Sequence, residues 1–141
     1  MTINQISIFL ENKYGKLSEI LSLLGKEHIR IIAATIADTS EFGIMRIIVS
    51  DPQKAYAILK ENNVSANLTD VLAVVTGSSA DDFAETLAHF TKAGLSIEYM
   101  YCFAVNGKAI LIIRTNNREA AREVIRRQNI EYICESDLIQ L

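Results

Sequence analysis

Apolar residues along this chain change their spacing in a fixed order, and the order occurs twice. Ile6, Ile8 and Leu10 alternate with Ser7 and Phe9, a period of two that predicts a strand. Leu17, Ile20, Leu21 and Leu24 then recur at i, i+3, i+4 and i+7, the apolar face of a helix. Residues 29–38 predict a strand ending at the polar turn Asp38-Thr39-Ser40, and Gly43 opens the next, Ile44 to Val49. Asp51-Pro52 starts a second helix, since proline at the first helical position gives up only an N–H that has no intrahelical partner. Ala55, Ile58 and Leu59 mark its buried face, Asn62-Asn63 closes it, and Val64 begins a last strand.

The second half repeats the plan at an offset of 66 residues with no gap. Ile6 maps to Leu72, Leu17 to Phe83, Leu24 to Phe90, Ile29 to Leu95, Ile47 to Ile113 and Leu59 to Ile125. Leu72 to Val75 predicts a strand, and Phe83, Leu87 and Phe90 line a helix closed by Gly94. Strands follow at about 95–105 and 109–115, joined by the hairpin signal Asn106-Gly107. Ala121, Val124 and Ile125 mark another helix, and Ile130 starts a final strand. The order β-α-β-β-α-β, twice, predicts an α+β chain of two ferredoxin-like sandwiches in tandem, with antiparallel four-stranded sheets and helices on one face. The predicted domains are residues 1–69 and 70–141. Units of this size have small cores, so an uncovered sheet face or edge is expected to pack on a neighbour, and a homodimer is expected.

Composition narrows the function classes. Half of the 141 residues are hydrophobic, enough for sizeable cores, and there is one proline. The start MTINQIS lacks the basic and apolar regions of a signal peptide, and no apolar run approaches the ~18 residues that cross a bilayer. No membrane association is expected, and a cytoplasmic location is. Cys102 and Cys134 have no CxxC spacing and are expected as two largely buried thiols in a reducing compartment. A net charge of −3 argues against nucleic acid as a partner.

Catalytic chemistry finds no constellation. His28 and His89 are the only histidines, are not repeat-equivalent, and share no triad or metal spacing with cysteine, serine or carboxylate. No catalytic residue, metal site or cofactor is expected. The loop at residues 12–16 has one glycine and neither GxxxxGK[ST] nor GxGxxG, so it is not read as a nucleotide site. RNA-recognition motifs share the predicted topology and read bases with sheet aromatics. Here the central strands GIMRIIV and GKAILIIR carry none. Tyr99, Tyr101 and Phe103 share one face of YMYCF, either as packing residues or as a stacking platform. Arg118, Arg122 and Arg126 recur every fourth residue with Arg127 beside them, either as a solvated helix face or as a phosphate-binding row.

The run ENKYGKLSEILSLLGKEHIRI followed by IADTSEFGIMRIIVSDPQKAYAIL resembles an ACT domain, and LAHFTKAGLSIEYMYCFAVNGKAILIIRT resembles a second. The family signal is a strand, a loop usually written ENxPGxL, a helix, and a strand starting G-[IV]-N-I. Asn12, Gly15 and Leu17 fit the loop while Tyr14 replaces its proline; the second loop, TGSSADDF, lacks the Asn and the Pro-Gly pair. Arg30 and Ser96 stand where an asparagine is common. The resemblance implies a non-catalytic regulatory protein that senses an amino acid and acts allosterically, in trans, on an enzyme of amino-acid metabolism. A ligand-free dimerisation module and an RNA-binding pair remain as alternatives.

The first loop suits such a ligand. A helix starting near Gly15 presents unpaired N–H groups and the positive end of its dipole to a carboxylate, and Asn12 offers both donor and acceptor atoms. The helix from Lys16 to Glu27 is about 18 Å long, so a loop and the strand start after its own helix lie at opposite ends of one domain. The resemblance implies sites between domains, each joining a loop to a strand start. The favoured site takes Asn12, Lys13, Tyr14, Gly15, Lys16 and Leu17 with Leu95, Ser96 and Glu98. The weaker takes Ser78 and Ser79 with Arg30.

Overall fold

Most strand and helix periods become elements where the sequence puts them. The computed structural model describes residues 2–11, 15–38 and 42–141. In chain order it runs β1 (Thr2–Glu11), α1 (Lys16–Lys26), β2 (Ile31–Asp38), β3 (Phe42–Val49), α2 (Pro52–Glu61) and β4 (Ala66–Thr76). It continues through α3 (Ala80–Lys92), β5 (Ile97–Val105), β6 (Lys108–Thr115), α4 (Arg118–Arg127) and α5 (Glu135–Ile139). Among the described residues no helix is long and apolar enough to cross a membrane. The chain divides into two compact units. The N-terminal unit holds Asn4–Thr69 with Leu138–Leu141; the C-terminal unit holds Asp70–Asp137 with the first residues of the chain.

In the N-terminal unit the strands lie in the order β2-β3-β1, all antiparallel. Alternate residues Ile6, Ile8 and Leu10 of β1 and Met45, Ile47 and Val49 of β3 share one face, and α1 and α2 cover it with Ile20, Leu24, Ala55 and Leu59. Each of the larger of these side chains, the leucines, isoleucines, valine and methionine, contributes about 1.5–3 kcal/mol by leaving water. Pro52 opens α2 as expected, and the Asp51 carboxylate accepts a hydrogen bond from the Lys54 N–H at 3.1 Å to cap it. In the C-terminal unit the order is β4-β6-β5, again antiparallel. Leu72, Val74, Leu111 and Ile113 meet Phe90 of α3 and Ala121, Val124 and Ile125 of α4. Asn106 (φ 50°) and Gly107 (φ 78°) are both left-handed, the two-residue turn that joins β5 to β6.

The repeat extends to the helix ends. Each of four helices closes when an N–H reaches back to the carbonyl five residues earlier: Ile29 to Leu24 at 3.1 Å, Val64 to Leu59 at 2.9 Å, Leu95 to Phe90 at 3.0 Å and Ile130 to Ile125 at 3.0 Å. The residue before each donor is left-handed, namely His28 (φ 59°), Asn63 (φ 59°), Gly94 (φ 78°) and Asn129 (φ 53°). His28 is thus an exposed helix-closing residue at the position Gly94 fills in the other unit. A side chain in left-handed backbone costs about 1–2 kcal/mol. His28→Gly is therefore expected to stabilise the chain by about 1 kcal/mol and Gly94→His to destabilise it by 1–2 kcal/mol. Urea midpoints measure both, and unchanged midpoints would show that these turns are not left-handed.

Three expectations change. β4 takes in both the last strand expected of the first half and the first expected of the second, because no glycine or proline interrupts residues 66–76. The strand expected from Ile130 shrinks to one bridge between Val74 and Tyr132, flanked by bonds from the Val75 N–H to the Glu131 carbonyl and from the Ile133 N–H to the Ala73 carbonyl. The chain then turns into α5, where the Asp137 carboxylate accepts from the Cys134 N–H at 3.0 Å and Leu138 is buried. Finally, Cys102 is exposed and Cys134 half-buried, because Cys102 lies on the outer strand β5.

The aromatic row that the RNA alternative would use, Tyr99, Tyr101 and Phe103, is half-buried on β5. On β6, the middle strand of its unit, Ile110 and Ile112 are buried on the face away from the helices, beside Phe103 and Tyr101 of β5. The arginine row is matched by acids: Arg118 pairs with Asp70, Arg122 with Glu119, and Arg126 and Arg127 with Glu123. Exposed pairs of this kind add little stability, but the three carboxylates offset most of the charge of the four arginines.

Candidate functional site: a cavity at Gly43

Gly43 stands in β3 opposite Leu10 of β1 on one side and Asp38 of β2 on the other. Its backbone is not left-handed, and a Cβ there would meet the Ala37 carbonyl and Leu10 Cβ at 3.7 Å, ordinary contact distances. Neither strain nor crowding calls for glycine. What its missing side chain provides is space on the helix-covered face of the sheet. A cavity of about 190 Å³ opens there, floored by Leu10 and Gly43 and walled by Leu17 of α1 and Ile36 of β2. Glu11, Lys16 and Asp38 form its rim. A second cavity of about 290 Å³ shares Glu11 and Lys16 and is walled by Phe9, Phe42 and residues 63–65. Phe9 and Phe42 are 42% and 55% exposed, high for two phenylalanines.

The start of α1 faces the first cavity through Lys16 and Leu17. Its N-cap, Gly15, is left-handed (φ 79°) and has no side chain to offer the first-turn N–H groups. Lys16 Nζ lies 3.9 Å from Glu19, an exposed pair too weak to hold the ammonium in place. Among the described residues, the rim thus combines a cation at a helix start with two carboxylates at strand ends, around an apolar floor.

The other unit treats the same positions differently. One repeat along, Phe83 stands for Leu17, Ala109 for Gly43 and Asp82 for Lys16. The helix start is satisfied from within: Ser79 Oγ accepts from the Asp82 N–H at 3.0 Å, and the Asp82 carboxylate accepts from the Ser79 N–H at 3.3 Å. A Cβ on Gly77 would collide with that carboxylate. Thr76, at the position of Leu10, accepts a hydrogen bond from the Thr86 hydroxyl at 3.1 Å. Charge, volume and hydrogen bonds are all used locally there.

Of the residues singled out by sequence, Lys16 and Leu17 line the cavity and Gly15 caps the helix beside it. Asn12, Lys13 and Tyr14 lie outside the described residues. Leu95, Ser96 and Glu98 belong to the C-terminal unit: Leu95 is in its core, the Ser96 N–H donates to Asn116 Oδ1 at 3.0 Å, and Glu98 lies 3.6 Å from Arg114. In the weaker set, the Arg30 N–H donates to Ser50 Oγ at 3.0 Å, Ser78 is exposed, and Ser79 is the cap of α3. The cavity's other lining residues, Leu10, Glu11, Ile36, Asp38 and Gly43, are not among those singled out from sequence. A glycine inside a strand with no turn to make was the available signal for the last of them.

Comparison with known proteins adds three findings. The family model of the ACT domain pair matches residues 1–141. A solved protein structure from Bacteroides thetaiotaomicron is 42% identical, with a TM-score of 0.94, covering 100% of this chain and 98% of that one. The regulatory subunits of aspartate kinase from Thermus thermophilus (ligand-free form; 17% identity, TM-score 0.63) and Thermus flavus (18%, 0.60) each match over 90% of this chain and 94% of theirs, a likeness of fold. No curated protein matches the sequence.

Proposed function

The chain belongs to the ACT domain pair family, and from that premise we propose that it is a regulatory protein that binds an amino acid at the Gly43 cavity and acts allosterically on a partner. The observation carrying this reading is the cavity itself: Gly43 leaves space between Leu10 and Asp38, and Lys16 and Leu17 of the first loop and helix close it. A volume of about 190 Å³ is below the ~300 Å³ at which drug-sized pockets begin, which suits a small metabolite. The contrast with the Ser79–Asp82 box supports one site per chain, in the N-terminal unit. The role is regulatory rather than catalytic. The similar Thermus proteins are regulatory subunits of a kinase named for an amino acid, which supports an enzyme of amino-acid metabolism as the partner, in the cytoplasm with the protein.

Ligand binding shifts an equilibrium only by its differential affinity for the two states. Closing β2, β3 and the start of α1 around a ligand supplies such a difference, and a partner reads the arrangement so favoured. A second reading has its own observation. Ile31 and Ile36 of β2, an outer strand of its unit's sheet, are 39% and 51% exposed, an apolar edge suited to pairing with a second copy as a ligand-free dimerisation module. A thermal-shift screen against the twenty amino acids separates the two readings. A ligand at ~100 times its Kd stabilises by about 2.7 kcal/mol, a shift of roughly 5–10 °C. A selective shift of that size is expected; silence across all twenty would reject the sensor and leave the dimerisation module.

A further inference from the structure

We infer that the C-terminal unit carries a phosphate-binding site of its own at the start of α4, built from the Thr115 hydroxyl, Arg118, Asn116, Asn117 and the first N–H groups of the helix. This goes beyond the amino-acid reading above and does not rest on it. A cavity of about 350 Å³ opens there, lined by residues 114–119, all of one unit. Thr115 is the residue that calls for a ligand. It follows Leu111 and Ile113 on the helix-covered face of β6 and is only 6% exposed. Among the described residues its Oγ1 has no hydrogen-bond partner. A buried hydroxyl left unpaired is costly, and Thr115 lines a cavity from which a partner can come.

The other unit shows the same corner of the fold without these groups. One repeat back, Ile48 stands for Arg114, Val49 for Thr115, Ser50 for Asn116, Asp51 for Asn117 and Pro52 for Arg118. The structural bonds survive the exchange. Asp51 caps α2 by accepting the Lys54 N–H, and Asn117 caps α4 by accepting the Ala120 N–H, both at 3.1 Å. Ser50 Oγ accepts from the Arg30 N–H, and Asn116 Oδ1 from the Ser96 N–H, both at 3.0 Å. What differs is the chemistry left over. Asn116 and Asn117 each add an amide NH2 group, and Asn117 removes the negative charge that Asp51 sets at a helix start. Arg118 restores the N–H that Pro52 lacks and brings a cation. Thr115 puts a hydroxyl in place of a methyl. Each of these changes favours an anion.

Nearby carboxylates are already engaged. Glu119, which replaces Gln53 and runs against the trend, lies 3.1 Å from Arg122. Glu98 lies 3.6 Å from Arg114, whose Nη1 also donates to the Asp70 carbonyl at 2.9 Å. Asp70 takes Nη1 of Arg118 and leaves the other donors of that five-donor fork. Ala120 and Ala121 give their N–H groups to Asn117, so those of Arg118 and Glu119 are the ones a helix start offers outward. Hydroxyl, amide, guanidinium and backbone donors on one cavity wall suit the several oxygens of a phosphate better than the two of a carboxylate. A volume of about 350 Å³ exceeds a bare phosphate and has room for a small carbon skeleton attached to it.

Isothermal titration of the full chain with inorganic phosphate, glycerol 3-phosphate and glycerol provides the test, on wild type, Thr115→Val and Asn117→Asp. Both variants import the residue that the other unit carries at the same place, so strand and cap are kept. Wild type is expected to bind the phosphate compounds and not glycerol. Asn117→Asp should weaken that binding ~30-fold or more, by setting a like charge against the phosphate, and Thr115→Val ~10-fold, by removing one hydrogen bond to a charged group. Inorganic phosphate binding as tightly as the ester would support the site with the free ion as its ligand. A tighter ester would support it with a phosphorylated metabolite. Binding of neither would overturn the inference and leave the Thr115 hydroxyl to a water. Unchanged affinity in both variants would overturn it too, because the phosphate would then be held elsewhere.

Discussion

Gly43→Val is expected to leave the chain folded and to remove its thermal response to amino acids. The substitution acts on one variable, the space at the cavity floor. A Cβ at residue 43 makes only ordinary contacts, at 3.7 Å from the Ala37 carbonyl and Leu10 Cβ and 3.8 Å from Leu10 Cδ1. A β-branched side chain suits a strand, so the backbone has no reason to object. The added methyls lie where a ligand would, and an affinity loss of ~100-fold removes nearly all of the ~2.7 kcal/mol that a ligand at 100 times its Kd provides. Gly43→Ala sharpens the result. Glycine within a strand is about 0.5–1 kcal/mol less stable than alanine, so this variant should melt a few degrees higher without ligand while responding less to it. Higher intrinsic stability with weaker binding is not what general damage produces. A ligand shift of wild-type size in both variants would place the site elsewhere.

The reason Gly43 escaped a sequence reading is instructive about what one chain can disclose. Helix faces and strand faces are local: Leu17, Ile20, Leu21 and Leu24 announce α1, and Ile6, Ile8 and Leu10 announce β1, because the periods 3.6 and 2 are written in neighbouring residues. The cavity is not local. It needs Leu10, Asp38 and Gly43 side by side across three strands, a register fixed by a hairpin and by a pairing more than thirty residues apart in sequence. Read along the chain, Leu10 is one more core residue, Asp38 belongs to a turn and Gly43 opens a strand. Of the cavity's lining residues, only Lys16 and Leu17, carried by the start of α1, were singled out along the chain.

The errors in the fold have the same origin. Residues 130–133 carry apolar positions that suit a strand, yet only the bridge at Tyr132 forms, and α5 is too short to show a helical period. The two strands expected around residues 64 and 72 are one strand because nothing between them breaks a strand, a fact about absent glycine and proline that division by repeat concealed. At the second loop, the missing Asn and Pro-Gly pair was legible; that Ser79 and Asp82 would close the helix start on itself depended on side-chain geometry.

The largest stability effect is expected from Phe90→Ala. Phe90 is fully buried, among the bulkiest of the enclosed side chains, and sits between the sheet residues Leu72, Leu111 and Ile113 and the α4 residues Ala121 and Ile125 in one core. Its carbonyl also accepts the Leu95 N–H that closes α3, a bond that any residue at 90 retains. The variant therefore isolates the ring. Truncating a buried phenylalanine costs about 3–5 kcal/mol, the lost transfer energy plus the cavity left behind. That is a large share of the ~5–15 kcal/mol that holds an ordinary domain together. Phe90→Leu supplies the internal standard, because Leu24 occupies the repeat-equivalent position in a core of the same plan. It should cost no more than about 1.5–2 kcal/mol, since most of the apolar volume is restored. Urea denaturation of the three proteins measures the series, and hydrogen exchange should show lost protection at the Leu111 and Ile113 amides in the alanine variant. A cost below 1 kcal/mol for alanine would mean that the ring does not fill this core. A leucine variant as unstable as alanine would mean that shape, and not buried area, holds α3 and α4 to the sheet.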